Sequence, residues 1–333
     1  MPERSPIEQL NLAIDALLSG KAQARLENEV AQMIDVAALL PALPRQEFRA
    51  QLKSELTKEK RMPATARKIT KKQPAKQPAG HPTVVPYIAV VQAREVIDFV
   101  QKTFGATGKI MGTGSQGGIH SEYRIGDATL MIGGGEEWKN PDPRPAYLHV
   151  YVDDCDATYD RAMKAGATSL NEPADRPYGD REAGVRDAGG NTWWIGQLRN
   201  RTRPAGLRDV TLAFEARGAA EFIDFLKAAF AADEVLRHEE PAGTVRHAQV
   251  RVGDTIVEIG EAHGPWQPIK TTVFLTVPDC EAVYEKALRA GAKSVSPPQQ
   301  TPYGLYVATV SDDFLNTWYI TSAPPRKSSS GQR

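Results

Sequence analysis

The chain has 333 residues, in which 41 Lys and Arg balance 41 Asp and Glu. This length accommodates two or three separately cored domains, and the charge balance excludes a global field for nucleic acid or membrane surfaces, leaving only local clusters. No stretch is apolar for long enough to span a bilayer, and Glu3, Glu8 and Asp15 interrupt any secretory h-region near the start.

Ser5-Pro6-Ile7-Glu8 is a capping box with proline at the first helical position, and Ile7, Leu10, Ile14, Leu17 and Leu18 follow at helical spacing. A helix is predicted there. A second runs through Leu26, Val30, Met33 and Ala37, and a third, short one through Phe48, Leu52 and Leu56, so residues 1–57 read as a helical segment. Residues 58–82 then turn basic and polar, with Lys60, Arg61, Arg67, Lys68, Lys71, Lys72 and Lys76 and almost nothing to bury. They read as a disordered tether, in preference to a contact with nucleic acid or an acidic partner.

Beyond Pro82 the sequence repeats. Ile97-Asp98-Phe99 answers Ile223-Asp224-Phe225, and Gly126-Asp127 answers Gly253-Asp254. Val152-Asp-Asp-Cys-Asp-Ala answers Val277-Pro-Asp-Cys-Glu-Ala, Pro177-Tyr-Gly answers Pro302-Tyr-Gly, and Asn191-Thr-Trp answers Asn316-Thr-Trp. The repeats cover 83–199 and 207–323, with 324–333 as a disordered tail. In the first, a strand is expected over Val84 to Val91, a helix over Ala93 to Phe104, a hairpin at Gly126-Asp127, a strand over Leu148 to Val152, a helix over Ala157 to Ala165, and strands around Val185 and Trp193. The pattern is β-α-β-β-β, an α+β class. Cys155 and Cys280 sit at matching places in the two repeats, which argues against a disulfide framework and for a reducing, cytoplasmic setting.

Alternation assigns faces. Ser121, Tyr123 and Ile125 belong beneath the helices, which turns His120, Glu122 and Arg124 to the opposite face. Leu148, Val150 and Val152 likewise leave Tyr147, His149 and Tyr151 opposite the helices. A two-residue turn at Gly126-Asp127 sets Glu122 across from Met131; the same construction in the second repeat sets Gln249 across from Glu258, with His247 diagonal to that carboxylate.

These ordered motifs, from the Ile-Asp-Phe helix to the Asp-x-x-Gly-Asn-x-Trp ending, resemble the vicinal oxygen chelate superfamily, closest to its glyoxalase/bleomycin-resistance branch, which also includes dioxygenases. The resemblance implies two tandem domains, each of paired βαβββ modules forming a curved sheet cup, preceded here by the helical segment. Metal-dependent relatives place His, Glu or Gln at four cup-facing positions. Matched by motif, the first repeat offers Val85, Met131, Tyr147 and Trp194, and the second Thr211, Glu258, Thr272 and Tyr319. A protein-bound transition metal takes about three or more side-chain donors, so no metal or other cofactor is expected. The remaining openings for a divalent metal are His247 with Glu258, or His120 with His149.

The resemblance then implies a cup that captures a small molecule, aromatic ligands included. The first cup is expected to be lined by Tyr87, His120, Glu122, Arg124, Met131, Tyr147, His149, Tyr151 and Trp194, with Trp193 in the core. Two alternatives stay open. One is a lyase, isomerase or dioxygenase of the same superfamily, with His247 and Glu258 as the catalytic acid/base pair. The other is a ligand-sensing module whose N-terminal segment docks on a protein partner. A homodimer is also open, although the tandem arrangement can replace one internally.

Overall fold

In the computed structural model, the described residues are 81–114, 116–139, 141–176, 179–199, 203–240, 243–301 and 304–323. The predicted N-terminal helices, the basic tether up to residue 80, residues 177–178 and 302–303 of the two Pro-Tyr-Gly turns, and the tail from residue 324 lie outside them.

Four β-α-β-β-β modules follow one another. The first has β1 (Val84–Val90), α1 (Ala93–Phe104), β2 (Thr107–Thr113), β3 (Ile119–Ile125) and β4 (Ala128–Gly134). The second has β5 (Tyr147–Tyr151), α2 (Cys155–Lys164), β6 (Thr168–Asp175), β7 (Arg181–Arg186) and β8 (Thr192–Gln197). The third has β9 (Val210–Ala216), α3 (Ala219–Phe230), β10 (Asp233–Glu239), β11 (Val245–Val252) and β12 (Thr255–Glu261). The fourth has β13 (Thr271–Thr276), α4 (Cys280–Arg289), β14 (Lys293–Gln300), β15 (Tyr306–Ser311) and β16 (Asn316–Ser322). No helix among the described residues is long and apolar enough to cross a membrane.

Local chemistry fixes the helices. In α1, Val96, Ile97, Phe99 and Val100 form the buried stripe, Glu95 complements the N-terminal dipole, and Gly105 ends the helix at φ +67°. Helix α2 starts at Cys155, earlier than the apolar spacing indicates, because the Asp154 carboxylate accepts the Ala157 N–H at 3.0 Å. Asp279 caps α4 in the same way at Ala282. The strands that periodicity does not announce are β2, β6, β10 and β14, each at a sheet edge. Every residue of β2 is exposed, and β14 carries Pro297 and Pro298 with two register shifts. Edge strands of this kind have no buried face to impose alternation.

The modules pair across the repeats. One eight-stranded sheet runs β14-β15-β16-β13-β1-β4-β3-β2, and the other β10-β11-β12-β9-β5-β8-β7-β6. The first sheet therefore joins the first and fourth modules through antiparallel β1 and β13, with Val85 opposite Phe274. The second joins the second and third modules through β5 and β9, with His149 opposite Thr211. Within a repeat, the modules meet instead through their helices and core: Trp193 of β8 is fully buried and packs on Phe99 and Phe104 of α1. Burying such rings contributes about 2–3 kcal/mol each.

The hairpin tips latch this exchange. Gly126 sits at φ +56°, and a Cβ there would overlap the Asp209 carboxylate from the other repeat. Beside it, Asp209 accepts the Asp127 N–H at 2.8 Å, while Asp127 accepts the Asp209 N–H at 2.7 Å. The equivalent tip at Gly253-Asp254 clasps Thr83, whose N–H donates to Asp254 at 2.7 Å.

Candidate functional site

Sheet pairing determines which polar side chains meet on each helix-free face. Across the sheet of β5–β12, Trp194, His149 and Thr211 lie in one row, and Tyr147, Ala213 and Glu258 in the next, with Gln249 following on β11. His149 of the first repeat makes an ion pair with Glu258 of the second, the carboxylate being only 3% exposed. The Tyr151 hydroxyl donates to Glu258 Oε1 at 2.9 Å, and Gln249 Nε2 donates to the same oxygen at 3.0 Å.

The electrostatics follow from this crowding. Burial opposes charge on His149, but the Glu258 carboxylate in contact with it, with Glu182 and Glu215 further off, pushes the imidazole up to about 9. Burial likewise opposes ionisation of Glu258; His149, His247 and the Gln249 amide overcome it and hold the carboxyl well below the usual range. At neutral pH the pair is ionic.

Aromatic rings surround it. Trp194 meets His149 with centroids 6.3 Å apart, and Tyr151 meets His149 at 6.1 Å, both edge-on. Gly184 on β7 leaves room for the indole, since a Cβ there would come within 2.6 Å of Trp194. Trp266, from the connection between β12 and β13, packs on Trp194 at 4.9 Å and on Tyr147 at 6.4 Å. The Tyr147 hydroxyl also donates to the Gln267 carbonyl at 3.1 Å, anchoring that connection. The Arg203 guanidinium lies 5.8 Å from the Tyr151 ring centroid.

The other sheet presents different chemistry. Tyr87 lies beside Met131 on β4, and Phe274 beside Tyr319 on β16. Met131 thus stands where Glu258 stands in the second sheet, and Phe274 where His149 stands. The Tyr87 hydroxyl and His120 Nδ1 are 3.3 Å apart, and Tyr87 meets Tyr319 edge-on at 6.4 Å. Burial holds His120 below its ordinary pKa, against the pull of Glu122. Arg124 is exposed on β3, between Thr107 of β2 and Thr129 of β4.

The expected single lining is therefore divided. Tyr87, His120, Glu122, Arg124 and Met131 belong to the first sheet, and Tyr147, His149, Tyr151 and Trp194 to the second. Alternation identifies a face but not the partner module, and here the partner comes from the other repeat. The expected registers of Glu122 with Met131 and Gln249 with Glu258 hold, and Trp193 is core, its indole N–H donating to Asp187 at 2.9 Å. Glu258 takes its ion pair from His149, while His247 acts on the same carboxylate through charge from β11. His120 and His149 lie on different sheets and do not share a site. Trp266 and the Gln267 carbonyl have no periodic signal in the sequence, since both sit in an irregular connection; Glu215 was open to the same reading as Thr211 and Ala213, with which it alternates along β9.

A metal of the kind found in this fold would need more donors than these faces supply. Regrouped by sheet, the four matched positions are Tyr147, Trp194, Thr211 and Glu258 in one and Val85, Met131, Thr272 and Tyr319 in the other. His149 adds one further donor in the second sheet, and it is committed to Glu258. Among the described residues no three His, Cys, Asp or Glu side chains group as metal ligands. The donor set does not fit a metal held by three or four side chains.

Residues 80–195 and 213–320 match the family described as Glyoxalase/Bleomycin resistance protein/Dioxygenase superfamily. An uncharacterized protein of Mycobacterium bovis is 30% identical over 148 residues, covering 41% of this chain and 95% of the relative. An uncharacterized protein of Mycobacterium tuberculosis (strain H37Rv) is also 30% identical over 148 residues, covering 41% of this chain and 85% of its own. Among solved structures, glyoxalase I from Zea mays superposes with a TM-score of 0.57 at 13% identity, covering 72% of this chain and 90% of that one. That likeness is one of fold.

Proposed function

Because the chain belongs to the Glyoxalase/Bleomycin resistance protein/Dioxygenase superfamily, we propose that it binds a small molecule bearing an aromatic ring on the concave face of the β5–β12 sheet, without the family's metal. The observation that carries this reading is the His149–Glu258 ion pair set among Trp194, Tyr147, Tyr151 and Trp266. A buried ion pair is a poor source of stability compared with an apolar pair of the same volume. Its retention amid aromatic rings suits a ligand site, where faces stack and a few polar groups orient. Two tryptophans at this face provide the readout. Titration with small aromatic compounds is expected to quench intrinsic fluorescence saturably, with the response lost in Trp194→Ala and Glu258→Gln. Saturable binding that is indifferent to both substitutions would remove this reading.

A second reading rests on His149 alone. Its side chain is 22% exposed and carries a proton up to about pH 9, beside the Tyr151 hydroxyl, so it is placed to donate a proton to a bound molecule. Of the superfamily's activities, lyase and isomerase chemistry, which moves protons, would then be the kind that His149 can serve without the metal; dioxygenation is not. Turnover of a bound compound that is lost in His149→Asn while affinity persists would favour it; unchanged turnover in that variant would exclude it. A reducing compartment suits either reading, since the Cys155 and Cys280 thiols are free and buried.

A further inference from the structure

Glu215 plays no part in the ion pair above, yet it shares its face. It lies on β9 two residues beyond Ala213, which pairs with both Tyr147 and Glu258. Its Oε2 is buried and has no hydrogen-bond partner. That carboxylate lines a narrow cleft with Tyr147, Phe222, Ile269, Thr271 and Asn316, beneath the same connection that carries Trp266. A buried carboxylate oxygen without a donor is costly, so the cleft lacks one hydrogen-bond donor. Two basic side chains of the flanking segments are committed elsewhere: Arg217 donates to Gln267 Oε1 at 3.0 Å, and Lys270 pairs with Asp142 at 2.7 Å.

We propose that Glu215 receives a protonated amine on the molecule held by the β5–β12 sheet, making aromatic compounds with an ammonium group the ligand class. This rests on the reading of that face as a ligand site. An ammonium supplies the missing donor as a charge-assisted hydrogen bond. Tyr147, Phe214, Phe222 and Phe314 line the same cleft; aromatic walls favour a cation over a neutral group of equal size. The charged and titratable groups acting on Glu215 are His149 on β5, Arg246 on β11 and Glu261 on β12. Burial first, then Glu261, raises its carboxyl, and His149 and Arg246 pull it back, leaving it at about 7.

The test compares three probes by fluorescence titration of the full chain at pH 8: 2-phenylethylammonium, the neutral 2-phenylethanol and the anionic 3-phenylpropionate. The ammonium compound is expected to bind at least about tenfold more tightly than the alcohol, and the anion more weakly than either, the size expected of one charge-assisted hydrogen bond. Glu215→Gln should level the ammonium and the alcohol, while Glu215→Asp, which keeps the charge, should retain the preference. Near-UV circular dichroism checks that both variants are folded. Equal binding of ammonium and alcohol by the wild type, or a preference that persists in a folded Glu215→Gln protein, overturns the assignment while leaving the β5–β12 face a ligand site. Failure of all three probes to bind counts against the assignment and the site together.

Discussion

The His149 imidazole, from the first repeat, and the Glu258 carboxylate, from the second, form an ion pair that exists only because β5 and β12 belong to one sheet. Breaking a buried pair by removing one partner costs about 3 kcal/mol or more, because the other is left without its counter-charge and must stay charged or give up its charge. Glu258→Gln is therefore expected to lower the midpoint of denaturant unfolding, and to bring the His149 titration, followed by NMR, down from about 9 to its ordinary value or below. The pH dependence has two limbs. The raised pKa of His149 contributes stability that is fully present below its ordinary value of 6.5 and is lost as pH rises through about 9. The depressed pKa of Glu258 contributes stability present above its ordinary value of 4.5 and lost as pH falls below it. Unfolding midpoints across pH should fall on both sides of that window in the wild type, and more shallowly in Glu258→Gln.

Neither repeat completes a sheet alone. A fragment of residues 81–199 would expose β1 and β5, each of which pairs with a strand from the second repeat. Unpaired strands of this kind seek partners. Analytical ultracentrifugation of the fragment should therefore give dimers, higher association or an unfolded chain, and mixing it with residues 203–323 should restore the near-UV spectrum of the intact protein. A folded monomeric fragment would contradict the exchanged pairing.

Leu315 holds a left-handed conformation at φ +71°, where the first repeat has Gly190 at φ +84°. The side chain is half exposed, so it has little packing to set against the strain. The motif survives the change because Asp312 still accepts the Asn316 N–H at 2.9 Å and the Trp318 indole N–H at 2.8 Å. Leu315→Gly should stabilise the protein by about 0.5–1 kcal/mol, the strain removed being partly offset by the extra freedom of glycine in the unfolded chain. Thermal unfolding measures it.

The two β-α-β-β-β repeats, the core tryptophan Trp193 and the registers of both central hairpins were legible in the sequence because each is a local matter: alternation, turn residues and capping act over a few positions. Sheet partners were not legible. Tyr87 and Tyr147 both read as facing away from the helices, which they do, but the antiparallel strand beside each comes from the other repeat, which no local pattern specifies. Trp266 was hidden for another reason: it lies in an irregular connection, where the isolated His263–Trp266 bridge is not announced by any periodic pattern.

Bound metal gives an independent check. With His149 committed to Glu258 and Trp194 and Thr211 in the neighbouring places, purified protein dialysed without chelator should hold well under one equivalent of zinc, iron, manganese or nickel by elemental analysis. Near-stoichiometric metal surviving dialysis would mean that the His149–Glu258 pair opens to take an ion.

The most direct measurement is a thermal-shift screen of small aromatic compounds, repeated with each hit on Trp194→Ala and on Tyr87→Phe, since a compound that binds only the folded chain raises its midpoint. The account predicts hits whose stabilisation disappears in Trp194→Ala and persists in Tyr87→Phe, because the ligand face is that of the β5–β12 sheet. Hits that depend on Tyr87 and ignore Trp194 would place the site on the opposite sheet and contradict it.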